Sequence, residues 1–176
     1  MRFIHIGAAV LAGIFGLGVH CPAWAQAGNW KSYRSERFGY RLLFPADLLS
    51  PPEESQNGEG VEFLSADGKT KLKVLAVENK DRITPEEYRA GIIREFPQYG
   101  VIHYGPMGQS WFVLSGMHGS SIYYQKIMFA CGGRLINAFA LTYPEEQKRA
   151  YDAIVTTIEK NFHTASGPAC VAGSRE

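Results

Sequence analysis

The stretch Ser121–Phe162, SIYYQKIMFACGGRLINAFALTYPEEQKRAYDAIVTTIEKNF, constrains the fold more than any other. Ile122–Cys131 and Leu135–Thr142 are rich in β-branched and aromatic residues, the mark of strands. Gly132-Gly133 stands between them. Two glycines supply the positive φ angles that a two-residue type I′ loop needs. That loop sets a register. Phe129 falls opposite Ile136 and Ile127 opposite Ala138 on one face, with Met128 opposite Asn137 and Lys126 opposite Phe139 on the other. Both faces carry apolar residues, so the hairpin is predicted at the centre of a sheet covered on both sides. A helix is expected to follow from Thr142-Tyr143-Pro144-Glu145, where Thr142 and Glu145 have capping-box spacing and Pro144 suits a first turn. Tyr151, Ile154, Val155, Ile158 and Phe162 then recur at helical spacing, one stripe for burial on the sheet.

The opening residues read as a leader. Met1-Arg2 is a short basic start, Ile6–Val19 is an apolar run, and Ala23-Trp24-Ala25 and Ala25-Gln26-Ala27 are both A-x-A cleavage patterns. This is the pattern of a secretory signal peptide over residues 1–25, or to Ala27 by the second site. The run falls short of the roughly 20 apolar residues that span a bilayer. His20 precedes Cys21, where a lipoprotein cysteine follows a small residue. No later stretch could span a membrane, so the exported chain is expected to be soluble. What remains is one domain, residues 30–162, followed by an irregular tail, residues 163–176. The formal charge is +1 at pH 7, and the leader carries Arg2 and no acid, so the rest of the chain is balanced. A balanced chain gives no support for nucleic acid or acidic lipid as a partner.

The domain opens with FGYRLLFP, in which Phe38, Tyr40, Leu42 and Phe44 share a face at period two and Pro45 ends the strand. Ser50–Gly60 reads as a polar loop. Val61–Ser65 and Lys71–Val77 are strands about the turn Ala66-Asp67-Gly68-Lys69. Lys69, Lys71 and Lys73 alternate, as solvated charges on an exposed strand face do. Thr84-Pro85-Glu86-Glu87 is a helix start, with Thr84 as cap, Pro85 at the first helical position and Glu87 completing a capping box. Tyr88, Ile92 and Phe96 form its apolar stripe, with Ile93 beside it, and Pro97 ends it. Val101–Tyr104 and Trp111–Ser115 are strands joined by Gly105-Pro106-Met107-Gly108. No β-α-β rhythm recurs. The fold class is α+β: a largely antiparallel sheet of about six or seven strands packed with two amphipathic helices, on both faces or on one.

At this point the chain resembles the PsbP-like superfamily. FGYRLLFP with Asp47-Leu48-Leu49 after it is similar to that superfamily's opening strand. SADGKTKLKV matches its strand–turn–strand, and the run through Tyr143-Pro144 into a helix closing on Ile158 and Asn161-Phe162 matches its ending. The likeness covers Trp30–Phe162. Members include extrinsic subunits of photosystem II, a nuclear-transport factor that binds a small GTPase, and many secreted bacterial proteins. The resemblance implies an α/β sandwich and a binding or accessory role in place of catalysis. No metal-site or partner-binding motif of the photosynthetic members is matched here, so no residue role is carried over.

Catalytic signatures are missing. Ser110, Ser115 and Ser121 stand outside any G-x-S-x-G, and neither phosphate-loop nor dinucleotide glycine motif occurs. Beyond the leader, His103, His118 and His163 form no H-x-x-x-H group, so neither metal nor cofactor is expected. The acidic pairs Glu86-Glu87 and Glu145-Glu146 fall in first helical turns, where they complement the macrodipole. Tyr99, Tyr104, Trp111, Phe112, Tyr123 and Tyr124 cluster in the middle strands. Alternation prevents all of them from facing one core. An exposed subset, from Tyr99, Tyr104, Trp111, Tyr123 and Tyr124, could bind a small apolar ligand or another envelope protein.

Two function classes follow. The first is a non-enzymatic binding or accessory protein of the bacterial periplasm. The second is a thiol-dependent hydrolase or transferase with Cys131 as nucleophile and His103 or His118 as base. Cys131 and Cys170 are the two cysteines that outlast signal removal. An exported chain meets an oxidising compartment, so a Cys131–Cys170 disulfide is predicted. Eight extended residues beyond Phe162 reach roughly 27 Å, enough to bring Cys170 back to the hairpin tip.

Overall fold

The computed structural model describes residues 28–95, 100–166 and 170. The signal segment with both cleavage patterns, Phe96, Tyr99 and most of the tail beyond Ser166 lie outside the described residues. The main sheet has seven antiparallel strands in the order β3-β4-β5-β9-β8-β7-β6. They are β3 (Glu53–Glu54), β4 (Gly60–Leu64), β5 (Lys71–Glu78), β6 (Val101–Tyr104), β7 (Trp111–His118), β8 (Ser121–Ala130) and β9 (Leu135–Pro144). The strands β1 (Trp30–Arg34) and β2 (Arg41–Pro45) form a separate two-stranded sheet. The helices are α1 (Pro85–Glu95) and α2 (Lys148–Asn161).

The β8–β9 hairpin sits in the middle of the sheet, in the register that the glycine pair dictates: Phe129 opposite Ile136, Ile127 opposite Ala138, Met128 opposite Asn137 and Lys126 opposite Phe139. The turn is longer than two residues. Cys131, Gly132 and Gly133 all take left-handed φ, at 57°, 66° and 80°. The Cys131 conformation is one that a side chain with a Cβ resists.

Both faces are covered. On one, Phe129, Ile127, Ile136, Phe112 and Leu114 meet Tyr88, Ile92 and Ile93 of α1. On the other, Phe139, Leu141, Leu72, Val74 and Phe63 meet α2 through Tyr151, Ile154, Val155 and Ile158, and meet β2 through Leu42 and Phe44. The opening period-two strand is therefore real, but it is not part of the main sheet. It pairs with β1 and lies over the sheet beside α2, burying Phe38, Tyr40, Leu42 and Phe44.

The two helix starts differ. At α1 the capping box forms: Thr84 N donates to Glu87 Oε2 at 2.8 Å and Glu87 N to Thr84 Oγ1 at 3.2 Å. At α2 the expected box does not. Thr142 is held in β9 between Lys71 and Tyr123, so its backbone is extended and ladder-bonded. Pro144 is extended too, a 3₁₀ turn spans Glu145–Gln147, and α2 begins at Lys148 with no side-chain cap. The Ser50–Gly60 loop also carries order. Glu53 and Glu54 pair with β4, and Asn57 Nδ2 donates to Glu59 Oε2 at 2.6 Å. Lys71 and Lys73 are not merely solvated: both reach Glu62, at 3.3 and 3.1 Å.

Candidate functional site

α2 packs chiefly on β2, β9 and β8, and β7 and β6 continue the sheet beyond β8 on the same face, with Val113 of β7 buried there. Period-two alternation puts Trp111, Ser115 and Met117 of β7 on that face, beside Tyr124 and Lys126 of β8. On β6, Val101 pairs with Met117, and the register then shifts so that Tyr104 pairs with Ser115. Residues three apart on a regular strand point to opposite faces. The bulge between Ile102 and Tyr104 brings Val101 and Tyr104 to the same one. Val101 is 59% exposed and Tyr104 56%. Among the described residues, the other exposed large hydrophobic is Leu75, at 37%. Two of these three thus stand on a four-residue strand at the end of the sheet, and β6 contains no charge of fixed sign.

The side chains behind them are tied to one another and to α2. Lys126 Nζ lies 5.3 Å from the centre of the Trp111 ring and 2.8 Å from Glu159 Oε1 on α2. The ammonium is thus held by a carboxylate on one side and an aromatic face on the other. Tyr124 stacks on Phe139 with ring centres 5.9 Å apart. Burial raises the pKa of its phenol, and the neighbouring Glu159 carboxylate raises it further. The phenol keeps its proton and is a donor. The ensemble offers aromatic and aliphatic surface bounded by an ion pair.

The expected aromatic set is divided by the pleat. Tyr104, Trp111 and Tyr124 share the shelf. Tyr123 faces the α1 side, where its hydroxyl donates to Val101 O at 3.2 Å. There it lines a groove of about 360 Å³ with Ile92, His118, Gln125 and Ala140. Tyr99 lies outside the described residues. Val101, Lys126 and Glu159 complete the shelf without having been anticipated as site residues. Glu159 sits one helical turn after Val155, on the edge of the apolar stripe, and that spacing was its only signal.

The thiol site is not assembled. Cys131 is bonded to Cys170, with Cα atoms 5.3 Å apart. Arg134 bridges the two half-cystines, Nε donating to Cys131 O at 3.1 Å and a terminal nitrogen to Cys170 O at 3.0 Å. His118 pairs with Ser121 at the start of β8, while Cys131 follows its end. Ten strand residues separate them by roughly 30 Å. His103 lies on β6, level with Tyr123 and Tyr124 near the start of β8 and two strands away from it, while Cys131 follows the end of β8. Neither imidazole can take a proton from Cys131. Among the described residues no three His, Cys, Asp or Glu side chains are placed to hold a metal ion, and no helix is long and apolar enough to cross a membrane.

No family model matches the chain, and no curated protein matches it in sequence. Solved structures do match in shape. The solution structure of cyanobacterial PsbP (CyanoP) from Synechocystis sp. PCC 6803 is similar at a TM-score of 0.58 and 14% identity, covering 88% of this chain and 99% of that one. The crystal structure of the Saccharomyces cerevisiae Ran-binding protein Mog1p is similar at a TM-score of 0.54 and 8% identity, covering 80% of this chain and 98% of that one. Identities this low speak for the fold alone. The seven-stranded sheet, the hairpin laid over it and the two helices are a PsbP-like fold.

Proposed function

We propose that this chain is an exported, non-enzymatic binding or accessory protein of the bacterial periplasm, and that it docks another envelope protein on the β6–β7–β8 shelf. The carrying observation is the pair Val101 and Tyr104, turned to one face by a bulge and more than half exposed. Exposed apolar side chains on a terminal strand are a liability unless something covers them. Trp111 and Tyr124 behind them are the residue types that dominate binding energy at interfaces. Export is supported by the leader-like opening and by the Cys131–Cys170 bridge, a bond that persists in oxidising compartments. A fold neighbour is described as a Ran-binding protein, which supports a reading as a protein-recognition domain.

The test places a photo-crosslinking residue at Tyr104 in one version of the protein and at Lys69 in another, in living cells. A protein captured from Tyr104 but not from Lys69 is expected. Val101→Ser with Tyr104→Ser should then weaken binding of that purified protein by at least about tenfold, the scale of losing one interface anchor. Equal capture from both positions would remove the shelf from the proposal. N-terminal sequencing of periplasmic material is expected to start at Gln26, or at Gly28 if the second site is cut. Retention of residues 1–25 in a membrane pellet would refute export by cleavage.

A further inference from the structure

Two arginines and a histidine stand in one row on β1, β2 and the segment that follows α2. Arg34 of β1 pairs directly with Arg41 of β2. On its other side Arg41 pairs with His163, each donating its N–H to the other's carbonyl at 2.9 Å. Cross-strand partners point to the same face, with Cβ atoms about 5 Å apart. The two arginine side chains and the imidazole therefore leave the backbone side by side, from β1, β2 and the isolated bridge at His163, and all three line one pocket. Like charges directly opposed are destabilising, and a bound anion would relieve that repulsion. Among the described residues no counter-charge is supplied: the four ion pairs use Lys71, Lys73, Lys126 and Lys148. The arginines are not recruited as caps for α2 either. Thr157 O accepts from Asn161 Nδ2 at 2.8 Å, and Glu159 O accepts from Phe162 N at 3.4 Å.

The row opens on a pocket of about 500 Å³. Gly39 lines it with no side chain to fill it, Thr164 and Ser166 bring hydroxyl groups, and Met128 and Phe162 add an apolar wall. Hydroxyl donors beside paired guanidinium forks fit an oxyanion. Apolar lining weakens the competition from water. A carboxylate has two oxygens and one charge, which a single arginine fork satisfies. A phosphoryl group has three free oxygens and up to two charges, which call for both.

We propose that Arg34, Arg41 and His163 form a binding site for a phosphoryl group, carried by a small phosphate ester or a lipid headgroup. The test is an amide NMR titration of the purified protein with its disulfide intact, using inorganic phosphate, acetate, or phosphatidylcholine vesicles containing phosphatidylglycerol. Saturable shifts at Gly39, Arg41, His163 and Thr164 are expected with phosphate and not with acetate. The same shifts with vesicles and none with free phosphate would assign the site to a headgroup. Arg34→Gln with Arg41→Gln should weaken the response at least about tenfold, as losing two charge-assisted forks requires. Arg41→Lys, which keeps the charge and loses the fork, should fall between. An unchanged dispersed spectrum in each variant establishes that it is folded. Acetate acting as strongly as phosphate, no saturable response to either phosphoryl probe, or a wild-type response from the double variant would each overturn the assignment.

Discussion

Thr70 donates its hydroxyl to the phenolic oxygen of Tyr151 across 2.9 Å, joining positions 81 residues apart. Thr70 closes the turn between β4 and β5, and Tyr151 lies on the buried face of α2, stacked on Tyr143 with ring centres 4.8 Å apart. The bond therefore pins the helix to the sheet at one place. Both residues are buried, so deleting one partner strands the other. Tyr151→Phe is expected to lower stability by about 1–2 kcal/mol, or about 3–6 °C in melting temperature for a domain of this size. Thr70→Val should cost a similar amount. The double variant should cost less than the sum, and strict additivity would show that the two hydroxyl groups are not coupled.

Asn137 presents the opposite case. It lies at the centre of the sheet between Ala76 and Met128, is fully buried, and neither its Nδ2 nor its Oδ1 has a hydrogen-bond partner. A buried amide without partners costs about 1–3 kcal/mol. Asn137→Val suits a central strand and removes both polar atoms. It is expected to raise the urea midpoint with the slope of the transition unchanged. A lower midpoint would reveal a bound water or ligand serving that amide.

Glu62 makes acid stability testable. Burial pushes its carboxyl up, but Lys73 and then Lys71 outweigh that and hold it below its ordinary 4.5. The Ser65 hydroxyl and the Lys69 N–H lower Asp67, and Thr84 lowers Glu87, in the same sense. A carboxyl depressed in the folded state stabilises fully above its unfolded pKa, and that contribution is lost as pH falls through the folded value. Stability should hold above about pH 5 and decline below it. Glu62→Gln should flatten part of that decline, and an identical slope in wild type and variant would exclude Glu62 as a contributor.

Local chemistry made several elements legible. Gly132-Gly133 set the hairpin register because only glycine takes consecutive left-handed angles freely, and Thr84 with Glu87 marked the start of α1. What was not legible depended on partners distant in sequence. The period-two run at Phe38–Phe44 announces a strand with a buried face, but not that its neighbour is β1 and not β4. Thr142 and Glu145 have capping spacing, yet β5 and β8 both pair with Thr142 and keep it extended. The aromatic set was visible as composition. Which members face solvent was settled by where α2 lies and by one bulge in β6, neither of which period or propensity encodes.

The Cys131–Cys170 bridge closes a loop across 39 positions, containing β9 and α2. In the chain-entropy picture a loop of about 40 residues is stabilised by at most roughly 4 kcal/mol, because the reduced unfolded chain has more freedom to lose. Native strain subtracts from that figure, and Cys131 is in the left-handed region. Cys170→Ser is the cleaner variant, since it breaks the bond without altering the residue at the strained turn. It is expected to lower the melting temperature by about 5–10 °C, and reducing agent should lower the wild type by a comparable amount while leaving Cys170→Ser unchanged. The reduced protein should also lose order first around Arg134, whose bonds to both half-cystine carbonyls depend on their staying together. Faster amide exchange at Cys131–Arg134, with the centre of β8 still protected, would show that local opening. A variant as stable as the wild type under oxidising conditions would mean that core packing alone holds the tail.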